Sequence, residues 1–222
     1  LEVYTWAFGD STPTRLTGAS TDDESDIGVS GDRVVWTAKD GAYRQIFTWK
    51  PGYSSAKQIT SDSSNHYSPS VSGDRMVWRG RWGDHYEVFA WYPTYDEPRQ
   101  LTFDPKNHYI PQISGTRVVW KAWRLGAWQV FTMEVGDDAY RQLTWSSRHC
   151  YGPQVSGDRV VFTRADSDGN QQVFTWTQGA SDLAQVTDDA RNHSAVRVSG
   201  YRITWQAFVG AVSQAFTAVP AQ

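Results

Sequence analysis

The string Ser-Gly-x-Arg begins at Ser30, Ser72, Ser114, Ser156 and Ser199, at intervals of 42, 42, 42 and 43 residues. No other feature constrains the fold as strongly, because a fixed period of this length makes each copy one supersecondary unit stacked on its neighbours. Around the string runs Val-Ser-Gly-Asp-Arg-Val-Val-Trp, as at Val29 to Trp36. Two further elements follow in the first copy, Gln-Ile-Phe-Thr-Trp (Gln45 to Trp49) and Gln-Ile-Thr (Gln58 to Thr60). The former recurs at Glu87 to Trp91, Gln129 to Met133 and Gln172 to Trp176, and the latter at Arg15, Gln100, Gln142 and Gln185.

Each unit reads as four short strands, A to D. Strand A ends at the Ser, B is the Arg-Val-Val-Trp run, C is the Gln-Val-Phe-Thr-Trp run and D carries the Leu-Thr. Asp40-Gly41, Gly83-Asp84, Gly126 and Asp168-Gly169 supply hairpin chemistry between B and C. Composition agrees: 21 Val against 6 Leu, 6 Ile and 2 Met, with 12 Trp, suits pleated half-buried surfaces rather than helices. The expected fold is all-β, a single domain over 1–222, a five-bladed β-propeller with four antiparallel strands per blade. The strand count is unbalanced, however. The chain opens with C and D (Glu2 to Thr17) and closes with A, B and C (Val196 to Val219), so one C segment is surplus. Ala218 replaces the Trp that ends most copies of C. The ring is therefore expected to close with the N-terminal hairpin as C and D. The surplus strand lies outside the regular blades or pairs in another molecule, giving a monomer or a strand-exchanged assembly.

An Asn…Pro before strand A, the Ser-Gly-Asp turn, an aromatic residue ending B and Leu-Thr in D together resemble the TolB-type (PD40, WD40-like) propeller repeat. The resemblance covers essentially the whole chain. One departure stands out: that family usually has Ser-Pro-Asp-Gly at the A–B turn, where this chain has Ser-Gly-Asp-Arg. The resemblance implies the fold and no single activity.

Net charge is −3 and the pI about 5.9, so no electrostatic footprint points to a nucleic acid. No apolar run reaches the ~18 residues of a membrane span. The one cysteine, Cys150, excludes an internal disulfide. Neither cofactor nor metal is expected, and the location expected is extracellular or the cell envelope.

Repeated aromatics, Trp36, Trp78, Trp120, Phe162 and Trp205 in B and Phe47, Phe89, Phe131, Phe174 and Phe216 in C, read as packing between blades. The Arg33, Arg75, Arg117, Arg159 and Arg202 series reads as stabilising the A–B corner. The D–A connectors read differently: Asn65-His66-Tyr67, Asn107-His108-Tyr109, His149-Cys150-Tyr151 and Asn192-His193-Ser194. In a propeller they reach the channel mouth, where open imidazole and phenol rings can stack on a ligand and hydrogen-bond it. The alternative is that Asn shapes the turn and His packs on the neighbouring blade. Trp82, Trp123 and Trp128 on the B–C hairpins lie outside the repeated positions, as sugar-stacking or protein-docking aromatics do. Ligand-binding residues are therefore expected among Asn65, His66, Tyr67, Asn107, His108, Tyr109, His149, Tyr151, Asn192, His193, Trp82, Trp123 and Trp128.

Three functions compete. A multivalent lectin-like carbohydrate-binding module is the main expectation, with glycan or protein as ligand. A protein-interaction propeller of a larger extracellular or envelope protein is the alternative, favoured by the unbalanced terminal strands. A five-bladed glycoside hydrolase needs carboxylates from different blades, whereas the one non-repeated acidic cluster, Asp22, Asp23, Glu24 and Asp26, sits on one connector. Asp166 to Asn170 resembles half a calcium loop but reads better as a turn. A Cys150–His149 nucleophile is disfavoured, since adjacent residues of extended chain point apart.

Overall fold

Every Ser-Gly turn read from the sequence closes a hairpin between two strands. The computed structural model describes residues 2–18 and 24–219; among them no helix occurs, and so none that could cross a membrane. The chain divides into two units, Leu1–Pro105 and Lys106–Gln222.

In the first unit β1 (Tyr4–Thr5) and β2 (Thr14–Arg15) form a two-stranded sheet. A four-stranded sheet follows from β3 (Ser25–Ser30), β4 (Arg33–Asp40), β5 (Tyr43–Trp49) and β6 (Lys57–Gln58), hydrogen-bonded in chain order. The next repeats it with β7 (His66–Ser72), β8 (Arg75–Trp82), β9 (His85–Trp91) and β10 (Arg99–Gln100).

The second unit continues with β11 (His108–Ser114), β12 (Arg117–Arg124), β13 (Ala127–Glu134) and β14 (Arg141–Gln142). Then come β15 (Cys150–Ser156), β16 (Arg159–Ala165), β17 (Gln171–Thr177) and β18 (Ala184–Gln185). It ends on a three-stranded sheet of β19 (His193–Ser199), β20 (Arg202–Val209) and β21 (Val212–Ala218). All these pairings are antiparallel.

Two expectations are corrected. Strand D ends at the residue before Leu-Thr, because Thr takes over from the backbone ladder. Thr60, Thr102, Thr144 and Thr187 each accept the strand-C amide (Ile46, Val88, Val130, Val173) on Oγ1 at 2.9 Å. The strand beside β20 is β21, paired over seven residues, while β1 and β2 pair with each other. The N-terminal hairpin therefore does not supply C to that sheet. Val3 and Leu16 instead pack against Val34, Trp36 and Ala38 of the sheet that follows.

The Ser-Gly motif has a second purpose within each unit. Ser30 Oγ accepts the Gly73 amide at 3.0 Å, Ser114 the Gly157 amide at 2.9 Å and Ser156 the Gly200 amide at 2.9 Å. Each turn is thus clasped to the turn of the next sheet. Arg33, 2% exposed, adds an ion pair across the same junction, with its Nε 3.0 Å from Asp74 Oδ1. Between sheets lie the repeated aromatics. Trp36, Trp78, Trp120 and Phe162 are fully buried, and each stacks on its strand-C Phe with ring planes 12–16° apart and centroids 6.0–6.2 Å apart.

Strand A of each of these sheets carries one bulge. Its residue is left-handed in all five copies: Asp26 (φ 53°) and Ser68 (φ 53°) in the first unit, Ile110 (φ 55°), Gly152 (φ 56°) and Ala195 (φ 50°) in the second. The ladder slips there, for example between Tyr67 and Ser70. A non-glycine residue in this region is strained, and a β-branched one most of all.

Candidate functional site

The connector histidines are buried, contrary to the open rings expected at a channel mouth. His66, His108 and His193 are 3%, 0% and 3% exposed. For His66 and His108 the reason is the neighbouring indole, which needs an acceptor once it leaves water; His193 packs edge-on against Trp205, with ring centroids 6.3 Å apart. Trp78 Nε1 donates to His66 Nδ1 at 3.0 Å, and Trp120 Nε1 to His108 Nδ1 at 2.8 Å. His66 Nε2 faces Asp62 at 3.1 Å, and His193 Nε2 faces Asp189 at 3.1 Å. Burial lowers the His66 pKa below its ordinary value against the pull of Asp62, which keeps Nδ1 free to accept. Gly80 makes room: a Cβ there would stand 2.7 Å from the His66 ring.

The fourth copy changes all members of this group together. Where the second, third and fifth copies have Asp, His and Trp, it has Ser146, Cys150 and Phe162, whereas the first copy keeps Trp36 with Glu24 in the His position. Phe needs no acceptor, so no imidazole is required. Arg164, opposite Cys150, lays its guanidinium 4.0 Å over the Phe174 ring. Burial pushes the Cys150 thiol pKa up, which removes nucleophilic character.

The connector Asn residues close hairpins. Asn65 Oδ1 accepts the Arg44 amide at 2.8 Å, and Asn192 Oδ1 the Gln171 amide at 2.9 Å. His149 stands in for Asn, its Nδ1 accepting the Trp128 amide at 3.2 Å. Asn107 occupies the equivalent connector position and is half-buried.

The remaining expected residues gather on the strand-A side of the B–C hairpins, within each unit. In the first, Arg79 lies 5.2 Å over Tyr67 and 4.9 Å over Tyr86, while Trp82 stands exposed at the hairpin tip. The second unit has the larger cluster. Tyr109 meets Trp128 at 5.4 Å, Trp128 meets Trp123 at 5.1 Å, Trp123 meets His149 at 5.4 Å and His149 meets Tyr151 at 5.7 Å. Lys121 Nζ sits 4.9 Å over Trp128 and 5.6 Å over Tyr151. Trp123 and Tyr151 keep 41% and 38% of their surface in solvent. Beside Tyr151 opens a cleft of about 260 Å³, bounded also by Gly152, Thr163, Gln171, His193 to Val196 and Arg197. A larger one of about 350 Å³ lies between the Ser156 and Gly200 turns, whose backbone the clasps already use.

Sequence reading missed Arg79 and Lys121. Both sit directly opposite the connector tyrosines, Tyr67↔Arg79 and Tyr109↔Lys121, a relation legible by counting back along each A–B hairpin. It also missed Glu87, which stands where three copies have a buried Gln (Gln45, Gln129, Gln172). His85 Nε2 is 3.0 Å from Glu87 Oε1, and Thr102 Oγ1 donates to Oε2. Desolvation pushes the Glu87 carboxyl up to about 7, against the opposing pull of Thr102 and His85.

Of the acidic cluster, Asp22 and Asp23 lie outside the described residues. Glu24 is buried at the position His66 takes in the next copy. Asp26 Oδ2 accepts the Ser68 amide at 2.9 Å. Asp166 closes its hairpin by accepting the Asp168 and Asn170 amides on Oδ1, each at 2.9 Å. Among the described residues no three His, Cys, Asp or Glu side chains gather as metal ligands.

No protein-family model and no curated protein matches the chain. Solved structures do. The protein described as TolB from Agrobacterium tumefaciens matches at 19% identity and TM-score 0.61, over 84% of this chain and 74% of that one. TolB from Acinetobacter baumannii matches at 13% identity and TM-score 0.60, over 98% of this chain and 59% of that one. A puromycin-hydrolyzing peptidase of Mycobacterium tuberculosis matches at 15% and TM-score 0.70, over 93% of this chain but only 37% of that one. The repeats thus have the TolB-type propeller fold. At these identities fold is what is shared.

Proposed function

We propose that the chain is a protein-interaction domain built of TolB-type propeller sheets, and that it engages its partner through the Tyr109, Lys121, Trp123, Trp128, His149 and Tyr151 cluster. One observation carries this reading: Trp123 and Tyr151 stay exposed although each packs against rings of the cluster. Such preorganised aromatic faces beside a cation are the residue types that dominate protein interfaces, since little side-chain entropy is lost on contact. The likeness to TolB structures supports a protein partner and the extracellular or envelope location; it lends no support to carbohydrate binding.

The test is photocrosslinking from p-benzoylphenylalanine at position 123, with position 145 as control, since Trp145 is 73% exposed and outside the cluster. A discrete polypeptide adduct from position 123, absent from 145 and competed by unmodified protein, is expected. Equal adducts from both positions, or none from 123, overturn the reading.

A further inference from the structure

The left-handed bulges of adjacent sheets are related in a way that reveals a vacant acceptor position. In the first unit the bulge amide of Ser68 is capped by the carboxylate of Asp26, the bulge residue of the preceding sheet, at 2.9 Å. The chain thereby shows with its own side chain that a carboxylate fits this amide. Three periods on, in the second unit, the Ala195 amide corresponds to Ser68 and Gly152 to Asp26. Gly152 has φ 56° where Asp26 has 53°, so both bulge residues are left-handed and Gly152 lacks the side chain. A Cβ added to Gly152 would meet nothing within 4 Å. That empty space opens into the 260 Å³ cleft, which Ala195 and Arg197 also line.

We propose that this cleft binds a carboxylate, an Asp or Glu side chain of a partner polypeptide. The acid would occupy the place of the missing bulge side chain, accept from the Ala195 amide and pair with Arg197. Two further features suit an acidic partner. Ala195 and Arg197, whose Nη1 donates to Val196 O at 2.9 Å, both line the cleft, and a guanidinium forms charge-assisted hydrogen bonds to an anion. Tyr151 joins the cleft to the aromatic cluster, so an extended segment can place an apolar side chain on Trp123 and an acid in the cleft. The protein-interaction reading is needed only for the source of the carboxylate; the cleft is testable by itself.

The probe is N-acetyl-aspartyl-N-methylamide, titrated by amide NMR at fixed pH and ionic strength so that His193 and Asp189 do not change charge. N-acetyl-asparaginyl-N-methylamide and inorganic phosphate serve as comparisons. A saturable shift of the Ala195 and Gly152 amides with the Asp probe, and a weaker one with the Asn probe, is expected. Gly152→Asp supplies the carboxylate internally, in a conformation Asp26 already adopts, and should weaken the probe at least about tenfold. Arg197→Gln, at an exposed position, should weaken it severalfold without disturbing the fold. No saturable shift, equal binding of Asp and Asn probes, phosphate binding without Asp binding, or unchanged affinity in Gly152→Asp overturns the proposal. Crosslinking from position 123 fails or succeeds independently of these outcomes.

Discussion

Trp120 donates its indole N–H to Nδ1 of a fully buried His108 at 2.8 Å, twelve residues earlier on the neighbouring strand. The same pairing ties Trp78 to His66 at 3.0 Å. Where Phe162 takes the Trp position, Cys150 takes that of His. In the two sheets of Trp78 and Trp120 imidazole and indole therefore form one hydrogen-bonded unit of the core, in which either member is costly without the other.

This makes the pair testable by a double-mutant cycle on urea unfolding. Trp120→Ala should cost about 3–5 kcal/mol by leaving a cavity. His108→Cys should cost about 1–3 kcal/mol by stranding a buried indole N–H. Combining His108→Cys with Trp120→Phe, which copies the fourth repeat, should cost at least about 0.5 kcal/mol less than the two single changes added. Strict additivity would separate the two rings energetically.

Glu87 predicts a pH dependence. Its folded-state pKa, about 7, lies above the ordinary 4.5, so the folded state holds the proton more tightly than the unfolded one. Its contribution is therefore unimpaired below about pH 4.5 and is lost as pH rises through 7. His85, raised chiefly by its hydrogen bond to Asp84, loses its charged form in the same direction. Asp104 and Thr102 are the other polar groups that act on the carboxyl. Glu87→Gln restores the residue of the other copies and should be more stable than the parent above pH 7, on the order of 3 kcal/mol, with the gap closing near pH 4.5. Unfolding midpoints at pH 4.5, 6 and 8 check this, and a constant gap would place the charge elsewhere.

The Ser clasps should act locally. Ser156→Ala removes the acceptor of the Gly200 amide, at a cost of about 1 kcal/mol. Hydrogen exchange at Gly200 should accelerate while Gly157, held by Ser114, keeps its rate. Faster exchange at both amides would mean that the clasps open together.

Ile110 carries strain that its neighbour avoids. A left-handed residue costs roughly 1–2 kcal/mol when it has a Cβ, and about 0.5–1 kcal/mol is returned to the unfolded chain by glycine. Ile110→Gly, which copies Gly152, should therefore raise stability by up to about 1 kcal/mol, because the side chain is 38% exposed and buries little. A lower melting temperature would show that Ile110 packs more than it strains.

What the residues determined alone is the repeat. A 42-residue period fixes where turns fall, and the continuous Val-Val-Trp runs mark strands buried on both faces, because both depend on neighbours in sequence. Ser30, Ser72, Ser114, Ser156 and Ser199 all end strand A as read, and the B-strand aromatics are buried as read. The role of polar residues was decided by tertiary structure. Asn-His-Tyr looks the same whether its imidazole meets solvent or an indole, and burial of the Trp ring settles that by demanding an acceptor twelve residues away. Pairing at the chain ends was likewise undetermined, since β1 and β21 carry similar patterns and only packing selects the partner of β20. The bulge residue itself was not legible in the sequence, because Asp, Ser, Ile, Gly and Ala all occupy one position and only three of the five precede a Pro. Backbone geometry imposed by adjoining sheets put them there, and it is that geometry which sets the Gly152 vacancy beside the Ala195 amide.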